Sequence, residues 1–292
     1  MLEQALKLKS LKLVNQGKVR DIYEFNKDSL LIVASDRLSA FDVILPTSIP
    51  DKGVILTEIS NFWFKKTSHI IKNHLINQNE IKEKLNKAEF NQVKNRSILV
   101  KRLNPLPVES VIRGYIIGSG WRDYLSFGET SGIKLPKNLK LADKLSEPIF
   151  TPSTKAKIGK HDENINFKSA ENLIGKDSIS RIQTVSLSLY KFAYELALKK
   201  GIILADTKFE FGTDSKGELY LIDEIFTPDS SRYWPLSLYQ PGESPVSMDK
   251  QFVRDYLETL DWNKQSPGPE LPHEIIKKTQ AKYSQLKNLL FS

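Results

Sequence analysis

The clearest alternation of hydrophobic and polar side chains along the chain lies in residues 204–212, which read L-A-D-T-K-F-E-F-G. After a short break that contains Asp, Ser and Gly, residues 219–224 read L-Y-L-I-D-E. Because successive side chains of a strand point to opposite faces, the first segment should have one polar and one apolar face. The polar face carries Asp206, Lys208 and Glu210, and the apolar face carries Ala205, Thr207, Phe209 and Phe211. The pattern predicts a β-hairpin whose apolar face packs and whose charged face serves chemistry.

The register of this hairpin decides whether its acidic side chains meet. Pairing residue 212 with residue 219 places Asp223 opposite Lys208 and diagonal to Glu210, on the same side of the sheet. A Mg²⁺ ion carried by a nucleotide needs one or two oxygen ligands from the protein, and Glu210 and Asp223 fit that requirement. The alternative is an edge hairpin with weak, solvated charge pairs, and a register shift of one residue would send Asp223 to the opposite face.

Hydrophobic spacing predicts the remaining elements. Short apolar runs predict antiparallel strands within residues 12–43 and a further strand at residues 97–103. Helical spacing of apolar residues predicts helices at residues 58–85, 119–127, 178–200, 249–260 and 272–290. Residues 135–168 lack clear periodicity and are predicted to form a long functional loop. This mixture favours an α+β fold over a doubly wound parallel sheet.

The segment Asn104-Pro105-Leu106-Pro107 is predicted to interrupt regular structure, because proline continues neither a helix nor a central strand. We therefore place a hinge there, between a small β-rich lobe at residues 1–105 and a larger α+β lobe at residues 106–292. The larger lobe contains the charged hairpin and the predicted C-terminal helices.

The composition excludes several kinds of chemistry. The 292 residues include no cysteine and four histidines, which excludes disulfides and cysteine nucleophiles and disfavours a multi-histidine metal site. No signal peptide and no apolar run of about 20 residues is visible, so a soluble, cytoplasmic protein without a membrane partner is expected. The net charge of +8 suggests a polyanionic partner, but the lysines are scattered and no nucleic-acid motif is visible, so nucleic-acid binding is not expected.

Two segments near the N-terminus combine the residue types of a ligand-binding loop. Gly17-Lys18-Val19-Arg20-Asp21 lies between predicted strands, where a glycine lets backbone N–H groups approach a phosphate and Lys18 adds positive charge. Residues 35–42 follow an apolar run and combine hydroxyls, acids and an arginine. The alternatives are an ordinary hairpin turn for the first segment and a turn that bonds its own backbone for the second.

Residues 106–119 read L-P-V-E-S-V-I-R-G-Y-I-I-G-S and suggest an anion site. Arg113 can bind a phosphate or carboxylate through its planar fork, and Ser119 stands at the start of a predicted helix, whose N–H groups attract anions. If the segment is helical, an ion pair between Glu109 and Arg113 is an alternative of similar weight.

Two further segments carry polar residues. Residues 147–164, which include His161 and Asp162, are predicted to be either a flap over a polar ligand or a solvated connector. Asp229 and Arg232 follow Asp223 closely along the chain, so both must lie within a few residues' reach of the candidate metal ligands.

Seven segments of the chain resemble, in the same order, those of the SAICAR synthetase (phosphoribosylaminoimidazole-succinocarboxamide synthase) family. They read G-K-V-R-D, S-D-R-L-S-A-F-D, L-P-V-E-S-V-I-R-G-Y-I-I-G-S, E-P-I-F-T-P-S-T-K, H-D-E-N-I, A-D-T-K-F-E-F-G and D-E-I-F-T-P-D-S-S-R-Y-W. They extend from near Gly17 to beyond Trp234. One position departs from the family pattern: Ile117 stands where a small residue or threonine is usual, which leaves Arg113 and Ser119 matched but changes the packing expected there.

The resemblance implies an ATP-dependent ligase of purine biosynthesis. In this family carboxyaminoimidazole ribonucleotide (CAIR) is condensed with L-aspartate to give SAICAR, ADP and phosphate, through an acyl phosphate. The resemblance also implies a two-lobed fold with antiparallel sheets and flanking helices, related to ATP-grasp and kinase-like enzymes. The adenine would lie between the lobes near Lys101 and Leu103, with ATP on the smaller lobe.

The resemblance also assigns roles to single residues. The residues implied to contact ATP are Gly17, Lys18, Val19, Arg20, Lys101, Leu103 and Asp223. Those implied to be catalytic are Lys208, Glu210 and Asp223, of which Glu210 and Asp223 hold Mg²⁺. Those implied to bind CAIR or aspartate are Ser39, Asp42, Arg113, Ser119, His161, Asp162, Lys208, Asp229 and Arg232. Phosphoryl transfer depends mainly on positioning and charge neutralisation, which agrees with a set dominated by charged groups.

Two other hypotheses stand beside this one. Another ATP-dependent ligase or a kinase on the same scaffold would use the same metal and loop residues, but it would not need the anion site at Arg113 and Ser119. A non-catalytic polyanion binder would rest on the positive net charge alone and would bind less tightly as salt rises. The sequence predicts no oligomeric state.

Overall fold

The first part of the chain folds into a four-stranded antiparallel sheet. The computed structural model describes residues 6–155 and 163–292. The strands are β1 (Lys12–Gln16), β2 (Arg20–Asn26), β3 (Ser29–Ala34) and β6 (Ser97–Lys101), in the order β1-β2-β3-β6. Between β3 and β6 lie the short hairpin of β4 (Ser39–Ala40) and β5 (Val43–Ile44) and the helices α1 (Lys52–Lys66), α2 (Glu80–Lys84) and α3 (Lys87–Val93). Tyr23, Leu31 and Leu99 of the sheet pack with Ile81 and Val93 of the helices in one buried cluster.

The second part forms a larger antiparallel sheet of five strands. They are β7 (Asn104–Tyr115), β10 (Lys144–Thr154), β11 (Ile202–Thr213), β12 (Leu219–Ile222) and β13 (Ser231–Pro235). The order is β10-β7-β11-β12, and β13 also pairs with β11. Helix α4 (Gly118–Phe127) and a small hairpin of β8 (Glu129–Thr130) and β9 (Ile133–Lys134) lie between β7 and β10. The long strands β7 and β11 therefore form the centre of this sheet.

The remaining helices are α5 (Phe167–Ile174), α6 (Lys176–Lys199), α7 (Gln251–Glu258) and α8 (His273–Phe291), and a 3-10 turn covers Leu236–Leu238. Helix α6 buries a stripe at helical spacing, which includes Ile179, Ile182, Leu189 and Ala193, against the large sheet. Helix α6 ends at Lys199, and Gly201 just beyond it has a φ of 72°, the left-handed conformation that glycine adopts without strain.

Helix α1 joins the two sheets, because its buried face belongs to the core of the second one. Ile59 and Trp63 of α1 are fully buried and pack in the same cluster as Phe209 of β11 and Leu286 of α8. Helix α1 lies against β3 of the first sheet as well. The proposed division into lobes at residue 105 stays a prediction.

Three element predictions are wrong, and each has a physical reason. Residues 104–107 are not a break but the start of β7, where Asn104 and Pro105 pair with β11 but β10 has not yet begun to pair, so this end of the strand has a single neighbour and tolerates proline. Residues 135–168 contain the eleven-residue strand β10, whose prolines hide its pattern. The helix predicted for residues 58–85 ends at residue 66. The apolar residues that follow it pack against the core from turns rather than from a continued helix.

The hairpin of β11 and β12 is confirmed, but its register is one residue from the prediction. Thr213 pairs with Leu219 and Glu210 with Ile222, so residue 212 does not oppose residue 219. Ala205 also differs from the prediction: a bulge beside residue 205 sends it into a different cluster from Phe209.

Within the described residues, no helix is both long enough and apolar enough to cross a membrane.

Candidate active site

A row of charged side chains lies where β11 pairs with β7. Lys208 Nζ donates a hydrogen bond to Glu109 Oε1 at 2.5 Å and lies 3.6 Å from Glu210 Oε1. Glu210 also pairs with Lys155, the residue that follows β10. Phe209 and Phe211 point the other way into the core. The charged face predicted for this strand is confirmed at Lys208 and Glu210.

Asp223 joins this row although the register does not place it there. Strand β12 ends at residue 222, and Asp223 has a φ of 69°, a left-handed conformation that redirects the chain. Its Oδ2 accepts a 2.6 Å hydrogen bond from Arg20 Nη2, and Arg20 also lies 3.3 Å from Glu224. The prediction that Asp223 opposes Lys208 across the ladder is wrong, because the backbone turn replaces strand pairing.

The two acids have opposite shifts in pKa. Burial favours the uncharged form of Glu210, but Lys208 and Lys155 outweigh burial and lower its pKa to about 2. Burial raises the pKa of Asp223 to about 7, since Arg20 offsets only part of that effect and the charge of Glu210 adds to it. Burial opposes the charge of Lys208, yet Glu109 and Glu210 raise its pKa. At neutral pH Glu210 is therefore ionised, whereas Asp223 is close to its pKa. A further cation beside Asp223 would favour its ionised form.

These donors fit a magnesium ion that arrives with a nucleotide. Within residues 6–155 and 163–292, no group of three or more acidic or histidine side chains is arranged to enclose a metal ion. Mg²⁺ keeps several waters and takes one or two carboxylates together with phosphate oxygens. Glu210 and Asp223 are hard oxygen donors in one cluster, so the donor set suits this ion and no soft-metal alternative.

A second cluster, of arginines, lies further along β7 and β11. Arg113 pairs with Asp206 in the register and its Nη1 lies 3.5 Å from Asp206 Oδ2. Arg113 also donates to Thr151 Oγ1 at 3.0 Å and to Ser119 Oγ at 2.9 Å. Arg232 of β13 binds the same Asp206 oxygen. One buried carboxylate thus holds two guanidinium groups side by side.

The start of α4 comes close to both arginines because two glycines allow it. A Cβ atom on Gly118, which has a φ of 60°, would lie 2.5 Å from Arg232 Nη2, and one on Gly120 would lie 3.0 Å from Arg113 Cδ. Arg232 Nε is buried and has no hydrogen-bond partner among the described residues. The helix start and the two arginine forks therefore bring together groups of the kinds that bind anions in proteins.

The alternative of a helical ion pair between Glu109 and Arg113 is wrong, since both residues belong to strand β7. Ile117, the departure from the family pattern, is extended and packs against the cluster of Tyr115 and Trp234. Its side chain therefore takes part in apolar packing and leaves Ser119 free to meet Arg113.

The Gly17 loop joins β1 to β2, and the Gly17 N–H donates to Arg20 O at 2.7 Å. Lys18, at the loop tip, pairs with Asp42, which follows β4 and has a φ of 63°. Sequence reasoning missed Arg37, which is buried below the loop. Its guanidinium donates to Lys18 O at 3.1 Å, to Gly17 O at 3.2 Å and to Asp21 at 2.7 Å.

The other predicted residues lie in several places. Lys101 Nζ donates to Tyr220 OH at 3.2 Å, and Leu103 stands half-buried between β6 and β7. Val19 accepts two hydrogen bonds from Ser35 at its carbonyl oxygen. Ser39 is buried in β4.

Three of the residues predicted to bind substrate remain: two cannot be checked against the structure, and the third is more buried than expected. His161 and Asp162 lie outside the described residues. Asp229 has a side chain that is 3% exposed and lies beside the fully buried Lys52. Sequence reasoning also missed the roles of Lys155 and Asp206: the alternation of Asp206 with Lys208 was a usable signal, whereas Lys155 reaches Glu210 only through tertiary contact.

Comparisons with known proteins agree with one another. The sequence profile described as SAICAR synthetase matches residues 13–269. The phosphoribosylaminoimidazole-succinocarboxamide synthase of Thioalkalivibrio sulfidiphilus is 56% identical over 278 residues, which cover 95% of this chain and 94% of that protein.

Solved structures give the same result. The SAICAR synthase from Saccharomyces cerevisiae, complexed with SAICAR, has a TM-score of 0.89 and 43% identity, covering 99% of this chain and 98% of that one. A type-2 SAICAR synthetase in complex with ADP has a TM-score of 0.70 and 25% identity, covering 94% of this chain and 96% of that one. The chain belongs to the SAICAR synthetase family.

Proposed function

We propose that this chain is an ATP-dependent ligase that condenses CAIR with L-aspartate to give SAICAR, ADP and phosphate. The observation that carries the proposal is the placement of an acidic cluster and an arginine cluster on the same two strands, β7 and β11. The first suits a metal-bound triphosphate and the second suits a phosphorylated substrate. The names of the relatives, and the SAICAR and ADP bound to two of them, support the same reaction.

ATP would bind with its phosphates between the Gly17 loop and the acidic cluster. Lys18 and the N–H groups of the loop supply positive charge, and Arg37 fixes the loop by bonding two of its carbonyl groups. Arg20 links the loop to Asp223 at 2.6 Å. Lys101 and Leu103, at the junction of the two sheets, would contact the adenine.

Glu210 and Asp223 would hold Mg²⁺, which neutralises phosphate charge as the γ-phosphoryl group is transferred. Glu210 is ionised at neutral pH because its pKa is lowered to about 2. Lys155 and Lys208 now neutralise Glu210, and Arg20 neutralises Asp223. These cations lie where triphosphate oxygens need partners, so they can turn from the carboxylates to the phosphates when the metal arrives.

CAIR would place its phosphate on Arg113, Ser119 and Arg232 and its imidazole carboxylate near Lys208. Arg113 is held by Thr151 at 3.0 Å, which orients its fork before the substrate arrives. Asp206 keeps the two guanidinium groups together despite their like charge. A substrate anchored in this way directs its carboxylate toward the acidic cluster.

The reaction then needs two displacements. A carboxylate oxygen of CAIR attacks the γ-phosphorus of ATP, and ADP leaves, which gives an acyl phosphate. The amine nitrogen of aspartate next attacks the acyl carbon, and phosphate leaves as the amide bond forms. Ser39, Asp42 and the segment with His161 and Asp162 are our assignments for orienting aspartate or the nucleotide.

The test is to incubate the purified chain with ATP, Mg²⁺, CAIR and L-aspartate and to measure ADP and SAICAR with each component omitted in turn. We expect both products only in the complete mixture. ADP formation that needs no aspartate, with a phosphorylated product, would indicate a kinase instead. Absence of ADP in every mixture, with ATP still bound, would contradict the assignment of the acceptor.

A further inference from the structure

The loop between β12 and β13, residues 223–230, carries Asp223 at its beginning and Asp229 near its end. Two of its non-glycine residues, Asp223 and Phe226, have left-handed backbones with φ of 69° and 53°. L-residues adopt this conformation rarely, so contacts outside the loop must hold it. The position of the proposed metal ligand Asp223 therefore depends on what anchors the rest of the loop.

Backbone contacts from several elements anchor the middle of the loop. The Ile225 N–H donates to Ser60 Oγ of α1 at 3.2 Å, and Tyr233 OH donates to Phe226 O at 2.7 Å. The Lys250 N–H donates to Pro228 O at 3.1 Å. The loop is thus fixed by its surroundings together with its own hydrogen bonds, such as the one that Thr227 Oγ1 donates to Glu224 Oε2 at 2.8 Å.

The far end of the loop is anchored by the side chain of Asp229. Lys52 Nζ of α1 lies 2.8 Å from Asp229 Oδ2, so the two buried side chains form an ion pair. Tyr283 OH of α8 donates to Asp229 Oδ1 at 2.8 Å, and Lys250 lies 3.9 Å away. Lys52 is fully buried and Asp229 is 3% exposed. Because its carboxylate already pairs with Lys52 and accepts a hydrogen bond from Tyr283, Asp229 is better suited to hold the loop than to touch a substrate.

Helix α8 lies beyond residues 13–269, the part matched by the family profile, yet it contributes one of these contacts. The helix is held on α1 at two other points. Lys287 lies 2.9 Å from Glu58, and Gln280 Nε2 donates to Asp51 at 3.1 Å. Tyr283 itself is buried. The C-terminal helix thus connects α1 to the loop that carries Asp223.

We propose that Tyr283 is a positioning residue: through Asp229 it fixes the loop of residues 223–230 and thereby holds Asp223 ready for the metal–nucleotide complex. Tyr283 touches no reacting atom in this scheme. The inference rests on the proposed role of Asp223 as a metal ligand. It also replaces the earlier assignment of Asp229 to substrate binding with an anchoring role.

The test measures binding of Mn²⁺, as a paramagnetic substitute for Mg²⁺, to the full chain in the presence of ADP. Tyr283→Phe removes only the hydroxyl, and Thr279→Val is the matched control, since the Thr279 hydroxyl is buried on the same helix and donates only to Ile275 O. We expect Tyr283→Phe to weaken Mn²⁺ binding about tenfold, as for other residues that orient metal ligands. Thr279→Val should change the affinity less than about twofold.

A double-mutant cycle with Asp223→Asn shows whether the effect passes through the loop. Once Asp223 has lost its charge, Tyr283→Phe should change the remaining Mn²⁺ affinity less than about twofold. Amide hydrogen exchange of residues 223–230 should be faster in Tyr283→Phe and unchanged in Thr279→Val.

Four results would overturn the inference. Equal Mn²⁺ affinities for Tyr283→Phe and Thr279→Val would do so, and so would an undiminished effect of Tyr283→Phe in the Asp223→Asn background. If Asp223→Asn alone leaves Mn²⁺ affinity unchanged, the proposed metal site fails, and the inference fails with it. If Asp223→Asn weakens binding and Tyr283→Phe does not, only the inference is wrong.

Discussion

The acidic cluster and the arginine cluster lie on the same pair of strands but are built in different ways. The arginine cluster takes its geometry from strand register, since Arg113 opposes Asp206 in β7 and β11 and Arg232 opposes the same residue in β13. The acidic cluster is assembled by tertiary contacts, because Asp223 stands outside the ladder and its partner Arg20 comes from the other sheet. Strand register alone can therefore fix the arginine cluster, whereas the acidic cluster depends on how loops and sheets pack against one another.

In both clusters, charged side chains are paired with neighbours of opposite charge. In each, the groups that we assign to a substrate or metal are already neutralised by a neighbour of opposite charge: Asp206 for the arginines, and Lys155, Lys208 and Arg20 for the carboxylates. Buried charges without partners would strongly destabilise the fold. The pairs keep the site folded and hold the charges close to their working positions.

The largest expected effect comes from the acidic cluster. Glu210→Gln keeps the shape of the side chain but removes the charge, so we expect kcat for ADP release to fall about a thousandfold, as when other groups that stabilise transition-state charge are removed. The Michaelis constant for CAIR should change little. Glu243→Gln, on the surface, is the control. A kcat within about tenfold of the unmodified protein would show that Glu210 does not hold the metal.

A substitution in the arginine cluster should change the Michaelis constant for CAIR rather than kcat. Arg113→Lys keeps the charge but loses the fork that binds Ser119 and Thr151, so we expect the Michaelis constant for CAIR to rise about a hundredfold. The constant for ATP should stay the same, and the exposed Arg122→Lys should behave like the unmodified chain. An equal rise for both substrates would remove the distinction between the clusters.

Two glycines at the ends of α4 test how closely the helix must approach the arginines. Gly118 and Gly128 both have left-handed backbones, with φ of 60° and 70°, but only a Cβ on Gly118 would meet Arg232. Alanine at either position should destabilise the fold by about 1 kcal/mol. Only Gly118→Ala should also raise the Michaelis constant for CAIR, by about tenfold, since small displacements of anchoring groups are costly. If Gly128→Ala raises the Michaelis constant for CAIR equally, backbone strain rather than the contact with Arg232 explains the effect of Gly118→Ala.

The last expected effect is on stability rather than on catalysis and concerns the buried His74, whose backbone N–H donates to Leu221 O at 3.1 Å. Burial, with the charge of Arg20, lowers its pKa to about 3. The unfolded chain therefore takes up the proton first as pH falls below about 6.5, and stability should decrease by up to about 1.4 kcal/mol per pH unit between about pH 6 and 4.

Denaturant unfolding at a series of pH values measures this slope. His74→Phe removes the titrating group and keeps an aromatic ring beside Phe64, so its stability should depend less on pH in that range. Identical slopes for the two proteins would mean that other groups cause the acid sensitivity.

The sequence predicted the parts that depend on local pattern. The period of two in β11 identified the charged face with Lys208 and Glu210, and the apolar spacing in residues 178–200 identified the helix α6. It did not predict the left-handed turn at Asp223, because the loop that contains it is held by contacts with α1, β13 and Lys250, the residue before α7. Nor did it indicate Lys155 or the anchor formed by Tyr283 and Asp229, whose partners are distant along the chain.

We propose that the two clusters serve one reaction, in which a carboxylate oxygen of CAIR attacks the γ-phosphorus of ATP. The most direct measurement uses CAIR with ¹⁸O in both carboxylate oxygens and analyses the phosphate released in the complete mixture by mass spectrometry. Each phosphate released should carry one ¹⁸O atom, because one carboxylate oxygen of CAIR stays bound to phosphorus when the acyl phosphate is cleaved. Phosphate without ¹⁸O, formed together with SAICAR, would contradict it.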